Sequence, residues 1–276
     1  MSFYIQSRKN KLEYFYLFII HDRMESGGLI MQRYFINEII DNSIIINLNE
    51  DDVHHLKNVM RKNNGDQIIC VDLKGKVYLG KIVDINTGSI EVIEYLDENN
   101  ELDVDVTLIY ALPKSDKFEL VLQKATELGV KRIVPLLSRR CVVKTNEQKF
   151  AKKMIRYQKI LKEASEQSHR NIIPEITNVI NLKQLGDYLG DYNLVAYEEL
   201  AKQGEHMVLK ETLKQLHSGA KITIIVGCEG GFDQDEITQM ELLGVKACSL
   251  GKRILRSETA PLYFLSVIGY SREIER

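Results

Sequence analysis

Ile224-Ile225-Val226-Gly227-Cys228-Glu229-Gly230-Gly231 and, about twenty residues on, Leu250-Gly251-Lys252-Arg253-Ile254-Leu255-Arg256-Ser257-Glu258-Thr259-Ala260 decide the fold of this 276-residue chain. Each stretch reads as an apolar, β-branched strand that runs into a glycine-containing or capped turn and then a helix. Two corners of this kind set two loops side by side at the carboxyl ends of parallel strands. Open α/β sheets bind their ligands there. A small-molecule site is thereby located before its occupant is known.

Outward from these corners the same period continues. The pattern predicts strands over 104–112, 132–137, 192–198, 221–227 and 246–250, and helices over 116–128, 147–169, 206–217 and 233–243, with a last helix from Glu258. Gly129 stands at a C-cap position after the first of these helices. Strands alternating with helices imply a parallel sheet covered on both faces. The stretch 31–101 reads differently. Short strand-like runs, Gln32–Ile36, Ile44–Ile46, Gln67–Val71, Val77–Val83 and Ile90–Ile93, are separated by Asn63-Asn64-Gly65-Asp66, Lys74-Gly75-Lys76 and Asn86-Thr87-Gly88-Ser89. These are turn residues, and one helix over 51–61 interrupts the series. A small barrel-like domain over 31–101, a polar linker at 97–103 and an α/β domain over 102–276 follow. Residues 1–30 read as an extension that adds nothing to the fold. Their apolar run 12–20 contains Glu13 and is too short to span a bilayer, and no small-residue cleavage site follows it.

Composition narrows the function class. An apolar fraction of 44% and a charged fraction of 28% describe a soluble globular chain, and the net charge of -2 gives no global basic field. The charge is unevenly spread. Between residues 131 and 170 there are twelve Lys or Arg against three Glu, whereas 31–101 holds seven against thirteen Asp or Glu. One surface is therefore suited to a polyanion, although a solvated helix face would look the same. Cys70, Cys141, Cys228 and Cys248 are scattered, without a Cys-x-x-Cys pair, so neither structural zinc nor a disulfide framework is expected. Reduced thiols in the cytoplasm and no metal are the reading.

Three stretches carry chemistry. Gly227, Gly230 and Gly231 permit positive φ and close backbone approach to a ligand, with Glu229 between them; a turn chosen for its geometry alone fits as well. The phosphate-loop and dinucleotide-binding signatures are both absent. Lys252, Arg253 and Arg256 precede a helix start, where Ser257 or Thr259 is expected to cap and Pro261 is tolerated. That placement attracts an anion. The run Glu166-Gln167-Ser168-His169-Arg170 closes a basic helix.

Taken with Lys152-Lys153-Met154-Ile155-Arg156-Tyr157, Glu163-Ala164-Ser165-Glu166-Gln167-Ser168-x-Arg170, His54-His55-Leu56-x-x-Val59-x-Arg61 and Ala111-Leu112-Pro113-Lys114, these motifs resemble the ribosomal RNA small subunit methyltransferase E family of knotted SPOUT enzymes. The resemblance runs from about Met31 to the C-terminus. Cys228 stands where the family usually has proline, Tyr157 where it has tryptophan, and Arg139 where glutamate is common. The resemblance implies a PUA-like RNA-binding barrel, a methyltransferase domain with a trefoil knot, and a cytoplasmic homodimer. It also implies S-adenosylmethionine-dependent methylation of N3 of a uridine in 16S rRNA of the 30S subunit. Another RNA substrate, or an RNA-binding dimer without catalysis, are the alternatives.

By the same resemblance the cofactor is expected among Tyr197, Gly227, Glu229, Gly230, Gly231, Leu250, Gly251, Ile254, Leu255 and Thr259. RNA is expected on Arg33, His55, Arg61, Arg140, Arg170 and Arg253. Uracil N3 is a protonated imide whose departing proton leaves charge on O2 and O4. Arg256 or Arg140 is expected to stabilise that charge, and Glu229 or Glu258 to take the proton if desolvation raises its pKa.

Overall fold

The computed structural model describes residues 31–41, 44–114, 117–202, 204–205 and 207–275; the expectations for 1–30 and for residues 116 and 206 lie outside them. Strands β1 (Arg33–Phe35), β2 (Ile45–Asn47), β3 (Gln67–Val71), β4 (Val77–Asp84) and β5 (Ser89–Leu96) form one sheet in the order β1-β3-β4-β5-β2. All its pairs are antiparallel except β1 with β3. Tyr34, Ile46, Ile68, Cys70, Ile82 and Ile90 fill its inner face together with Leu56.

The one helix of this part departs from the expected 51–61. Helix α1 (Glu50–His54) is capped by Asn49, whose side chain accepts from the Asp52 N–H. It then widens into a single π turn, His55–Val59, closed by Met60 N–H to His55 O at 3.0 Å. Arg61 ends the helix in the left-handed region at φ 50°. The wide turn lets His55 Nδ1 meet the Tyr34 hydroxyl at 3.1 Å.

The second sheet is parallel throughout. It contains β6 (Asp105–Ala111), β7 (Arg132–Leu137), β8 (Glu175–Ile176), β9 (Ile180–Asn181), β10 (Tyr192–Ala196), β11 (Lys221–Val226) and β12 (Lys246–Cys248). Its order is β12-β10-β11-β6-β7-β8, with β9 also paired to β7. Alternation along each strand divides the core in two. Ile222, Ile224 and Val226 of β11 and Val106, Leu108 and Tyr110 of β6 face one side. Ile225, Ile109 and Ala111 face the other. On the first side lie α2 (Lys117–Glu127), α3 (Glu147–Ala151), α4 (Met154–Gln167), α6 (Val208–Gln215) and α8 (Thr259–Glu273); α7 (Gln234–Leu242) and a 3-10 turn, Leu182–Tyr188, cover the second. The expected cover on both faces is borne out.

The expected helix 147–169 is two helices. Lys153 N–H bonds Phe150 O at 2.9 Å, which tightens the chain between α3 and α4. Phe150 and Tyr157 then both close edge-on against Phe118, with ring centroids 6.0 and 5.2 Å away. The strand expected over 192–198 ends at Ala196, and a short helix, α5 (Glu198–Lys202), follows Tyr197. β8, β9 and the 3-10 turn were not expected.

Two arginines expected on an RNA surface are instead buried where the sheets meet. Arg33, 1% exposed, donates to His169 O at 2.9 Å, Arg170 O at 3.1 Å and Glu98 at 2.8 Å. Arg170, 2% exposed, donates to Thr126 O at 3.1 Å and Val130 O at 2.6 Å and pairs with Glu101. A buried guanidinium with five donors is held by carbonyls and carboxylates rather than left for a ligand. Lys162 of α4 adds a third tie, pairing with Asp52 of α1 and lying 3.3 Å from Glu166. Among the described residues no helix is long and apolar enough to cross a membrane.

Candidate active site

The carboxyl ends of β10, β11 and β12 bring three expected segments together. After β11, Gly227 packs so closely on Gly231 that a Cβ on it would lie 2.9 Å from the Gly231 Cα. Gly231 N–H returns to Cys228 O at 2.9 Å, and Gly231 itself has φ +63°. The glycines therefore build a tight loop. At Gly231, and at Gly251 with φ +105°, no atom occupies the 4 Å around a would-be Cβ, so a ligand can reach the backbone. Tyr197 N–H bonds Cys248 O at 3.0 Å and its hydroxyl bonds Gln234 at 3.0 Å, fixing the β10 end beside the others. Leu250 and Leu255 are half-buried against the core, whereas Ile254 is 76% exposed.

The segment between β7 and α3 reaches the same loop. Arg140 Nη1 donates to Gly230 O at 2.9 Å, and its Cβ leaves only 3.0 Å for any side chain at position 230. Arg139 turns the other way, to Asp233 at 3.3 Å and Asp235 at 3.1 Å at the start of α7. Its backbone N–H bonds buried Glu236 at 2.8 Å. Arg140, not Arg139, is thus the residue delivered to the glycine loop.

Beneath the loop, the Ser138 hydroxyl lies 3.2 Å from the Cys141 sulfur and 4.0 Å from that of Cys228. Cys141, acting as partner to Cys228, together with the Gly230 N–H, holds the Cys228 thiol below the usual range against the pull of burial.

The two carboxylates meet on an ammonium. Lys117 Nζ, at the first residue of α2, stands 3.0 Å from Glu229 and 3.0 Å from Glu258. Glu229 also accepts the Lys114 N–H at 3.2 and 3.3 Å, and Glu258 accepts the Ser257 hydroxyl at 3.2 Å. Partial burial pulls both carboxyls upward, yet these donors and Lys117 hold them below the ordinary carboxylate value. The expected desolvation-raised base is therefore corrected: both groups are ionised, because each has an opposite charge and N–H or O–H donors at contact. Ser257 and Thr259 do not cap α8. Ser257 serves Glu258, and Thr259, exposed, donates its N–H to Arg256 O at 2.9 Å.

Arg253 and Arg256 are exposed on the loop before α8. Of the residues expected on RNA, Arg61 is exposed and His55 half-exposed, with burial lowering the His55 pKa. Lys144, Lys149, Lys152, Lys153, Arg156 and Lys159 present a run of exposed cations from the β7 loop through α3 and α4. Sequence reasoning missed Lys117, whose partners lie more than a hundred residues away, and Tyr110, whose fully buried hydroxyl makes no well-formed hydrogen bond. Only the lysine at the start of an amphipathic helix signalled the first.

The family model described as RNA methyltransferase domain matches residues 100–269, and that described as RNA methyltransferase PUA domain matches 48–95. The chain is 40% identical over 253 residues to ribosomal RNA small subunit methyltransferase E of Bacillus subtilis (strain 168), covering 89% of this chain and 99% of that one. It is 36% identical over 239 residues to the protein of the same name from Mesomycoplasma hyopneumoniae (strain 232), covering 86% and 98%. Among solved structures, a ribosomal RNA small subunit methyltransferase E from Neisseria gonorrhoeae bound to S-adenosyl methionine matches with a TM-score of 0.74 and 30% identity, over 86% of this chain and 96% of that one.

Proposed function

Because this chain belongs to the ribosomal RNA small subunit methyltransferase E family, we propose that it methylates N3 of a uridine in 16S rRNA with S-adenosylmethionine as methyl donor. The observation that carries this reading is the meeting of the glycine loop, Arg140 and the Glu229–Lys117–Glu258 group at the carboxyl ends of the parallel strands. The residues fit the cofactor. Open backbone at Gly231 and Gly251 admits a nucleoside at close range, and Tyr197, Leu250, Ile254 and Leu255 offer it apolar surface. When bound, the sulfonium supplies an electrophilic methyl group.

The chain's own task is then positioning and charge control, because an in-line displacement gains most from alignment. Glu229 or Glu258, ionised, accepts the imide proton. The exposed Arg256 and Arg140 stand to stabilise the charge that spreads onto the uracil oxygens. The 144–159 cations, Arg61, His55 and Arg253 hold phosphate. A homodimer with the trefoil knot at its interface, in the cytoplasm, completes the reading.

Transfer of radiolabelled methyl to naked 16S rRNA and to 30S particles lacking the modification, followed by nucleoside analysis, tests it. N3-methyluridine is the expected product. Cofactor binding without transfer to either form would assign another RNA, and failure to bind cofactor would leave an RNA-binding protein.

A further inference from the structure

Lys117 carries more than an ordinary surface ion pair. Its Nζ approaches Glu229 Oε1 and Glu258 Oε2 at 3.0 Å each, so the two carboxylate oxygens stand within two such lengths of one another. The carboxylates come from separate places, one from the loop after β11 and the other from the residue before α8, and the lysine comes from α2. All three are partly shielded, at 33, 30 and 16% side-chain exposure for Lys117, Glu229 and Glu258. Two carboxylates so close raise one another's pKa unless a cation intervenes, since the second charge is opposed by the first.

Of the groups facing this cluster, Lys117 is the cation in contact with both carboxylates. Tyr110 reaches toward it from β6 with a fully buried hydroxyl that lacks a well-formed hydrogen bond, and Cys228 lies beside it on the glycine loop. Ser257 and the Lys114 N–H donate to the carboxylates but bring no charge.

We propose that Lys117 is a positioning residue of the methyl-transfer reaction, tying the glycine loop to the start of α8 and holding Glu229 and Glu258 both ionised further into the acid range. The inference rests on the methyl-transfer reading above. In that reaction the uracil N3–H bond breaks and its proton passes to a carboxylate oxygen of Glu229 or Glu258. The nitrogen pair released forms the new bond to the methyl carbon, whose former bonding pair stays on sulfur. An acceptor that already holds a proton cannot take part. Lys117 therefore sets the lowest pH at which the acceptor is available, without touching the substrate.

The sign follows from the ion pairs. With Lys117 present both carboxyls titrate below their ordinary value, so activity persists until the pH is low. Without it, one of the pair protonates at a higher pH and activity fails earlier on acidification. The test compares wild type, K117M and K117R in single-turnover transfer to 30S particles across pH 5 to 9. It also follows both glutamate carboxyls by carbon-13 NMR titration without substrate. In K117M we expect the acid limb and at least one carboxyl midpoint to rise together by about one pH unit or more. In K117R both should stay near their wild-type positions.

A uniform loss of rate at every pH, with unmoved carboxyl midpoints, would reduce Lys117 to a structural tie and overturn the proposal. Risen midpoints with an unmoved acid limb would overturn it as well. The titration stands apart from activity. If wild type methylates no RNA, the function reading fails, and an unmoved K117M midpoint then still refutes the charge-setting role by itself. Circular dichroism of K117M against wild type guards against a misfolded variant, and K117R controls for the cation.

Discussion

At the scale of single residues, packing distances and charge state decide the outcome. Gly227 has backbone of Gly231 at 2.9 and 3.0 Å from its would-be Cβ, so Gly227→Ala must push the loop apart. A forced shift of that kind costs about 1–3 kcal/mol. Isothermal titration calorimetry should show weakened S-adenosylmethionine binding, while Gly219→Ala, remote from the loop, should bind the cofactor as wild type does. Arg256 makes a different prediction. Its side chain is exposed and only its carbonyl serves the helix start, so Arg256→Ala should leave the melting temperature and cofactor affinity unchanged. Loss of a charge-stabilising donor should lower the single-turnover rate by about 10²–10³-fold. Full turnover in that variant would remove Arg256 from the chemistry and leave Arg140, bonded to Gly230 O, as the remaining arginine.

At the scale of elements, α3 and α4 do two jobs with opposite faces. Phe150, Tyr157 and Leu161 enter the core, while Lys149, Lys152, Lys153 and Lys159 face solvent. Replacing Lys152 and Lys153 together by alanine should weaken 30S binding alike for modified and unmodified particles. It should also flatten the plot of log affinity against log salt by roughly 0.7–0.9 for each phosphate that the variant no longer neutralises. An unchanged slope in filter binding would move the RNA off this face. The elements themselves were largely legible because period and turn chemistry agree. Gln67–Val71 and Arg132–Leu137 fall where β-branched runs between turn residues put them. The misses have physical causes. The helix after Asn49 turns wide at His55 to satisfy Tyr34, and the long basic helix breaks so that two aromatic rings can reach Phe118. Both breaks answer partners distant in sequence, which a local pattern does not contain.

At the scale of the whole molecule, the two sheets are locked by buried charge. Arg170→Met would strand Glu101 and two backbone carbonyls, those of Thr126 and Val130, a loss of about 3–5 kcal/mol for a broken buried pair. Urea unfolding should report it, with the salt slope of RNA binding unaltered. The same interface holds a pH response. Burial lifts Glu166 to about 7, with Lys162 pulling it down and Asp52 pushing it up. A carboxyl whose folded pKa lies above its unfolded one stabilises while protonated. That contribution is complete below the unfolded pKa of about 4.3 and is lost as pH rises through 7. Stability should therefore fall between pH 5 and 8 by an amount on the order of 2 kcal/mol that Glu166→Gln abolishes.

The candidate site was legible where one segment suffices, as at Gly227–Gly231 and Arg140. Lys117 was not, because its meaning lies in two partners 112 and 141 positions further along. Nor were Arg33 and Arg170, whose burial sequence alone does not display. Their lock has a mechanical consequence. A barrel and a sheet clamped by Arg33, Arg170 and Lys162 form a calliper of fixed opening. RNA that is already folded to that gauge binds without first being straightened or bent, whereas a loose strand must give up its freedom on contact. An assembled 30S particle should accordingly be methylated at lower concentration than naked 16S rRNA, and loosening that clamp should narrow the preference.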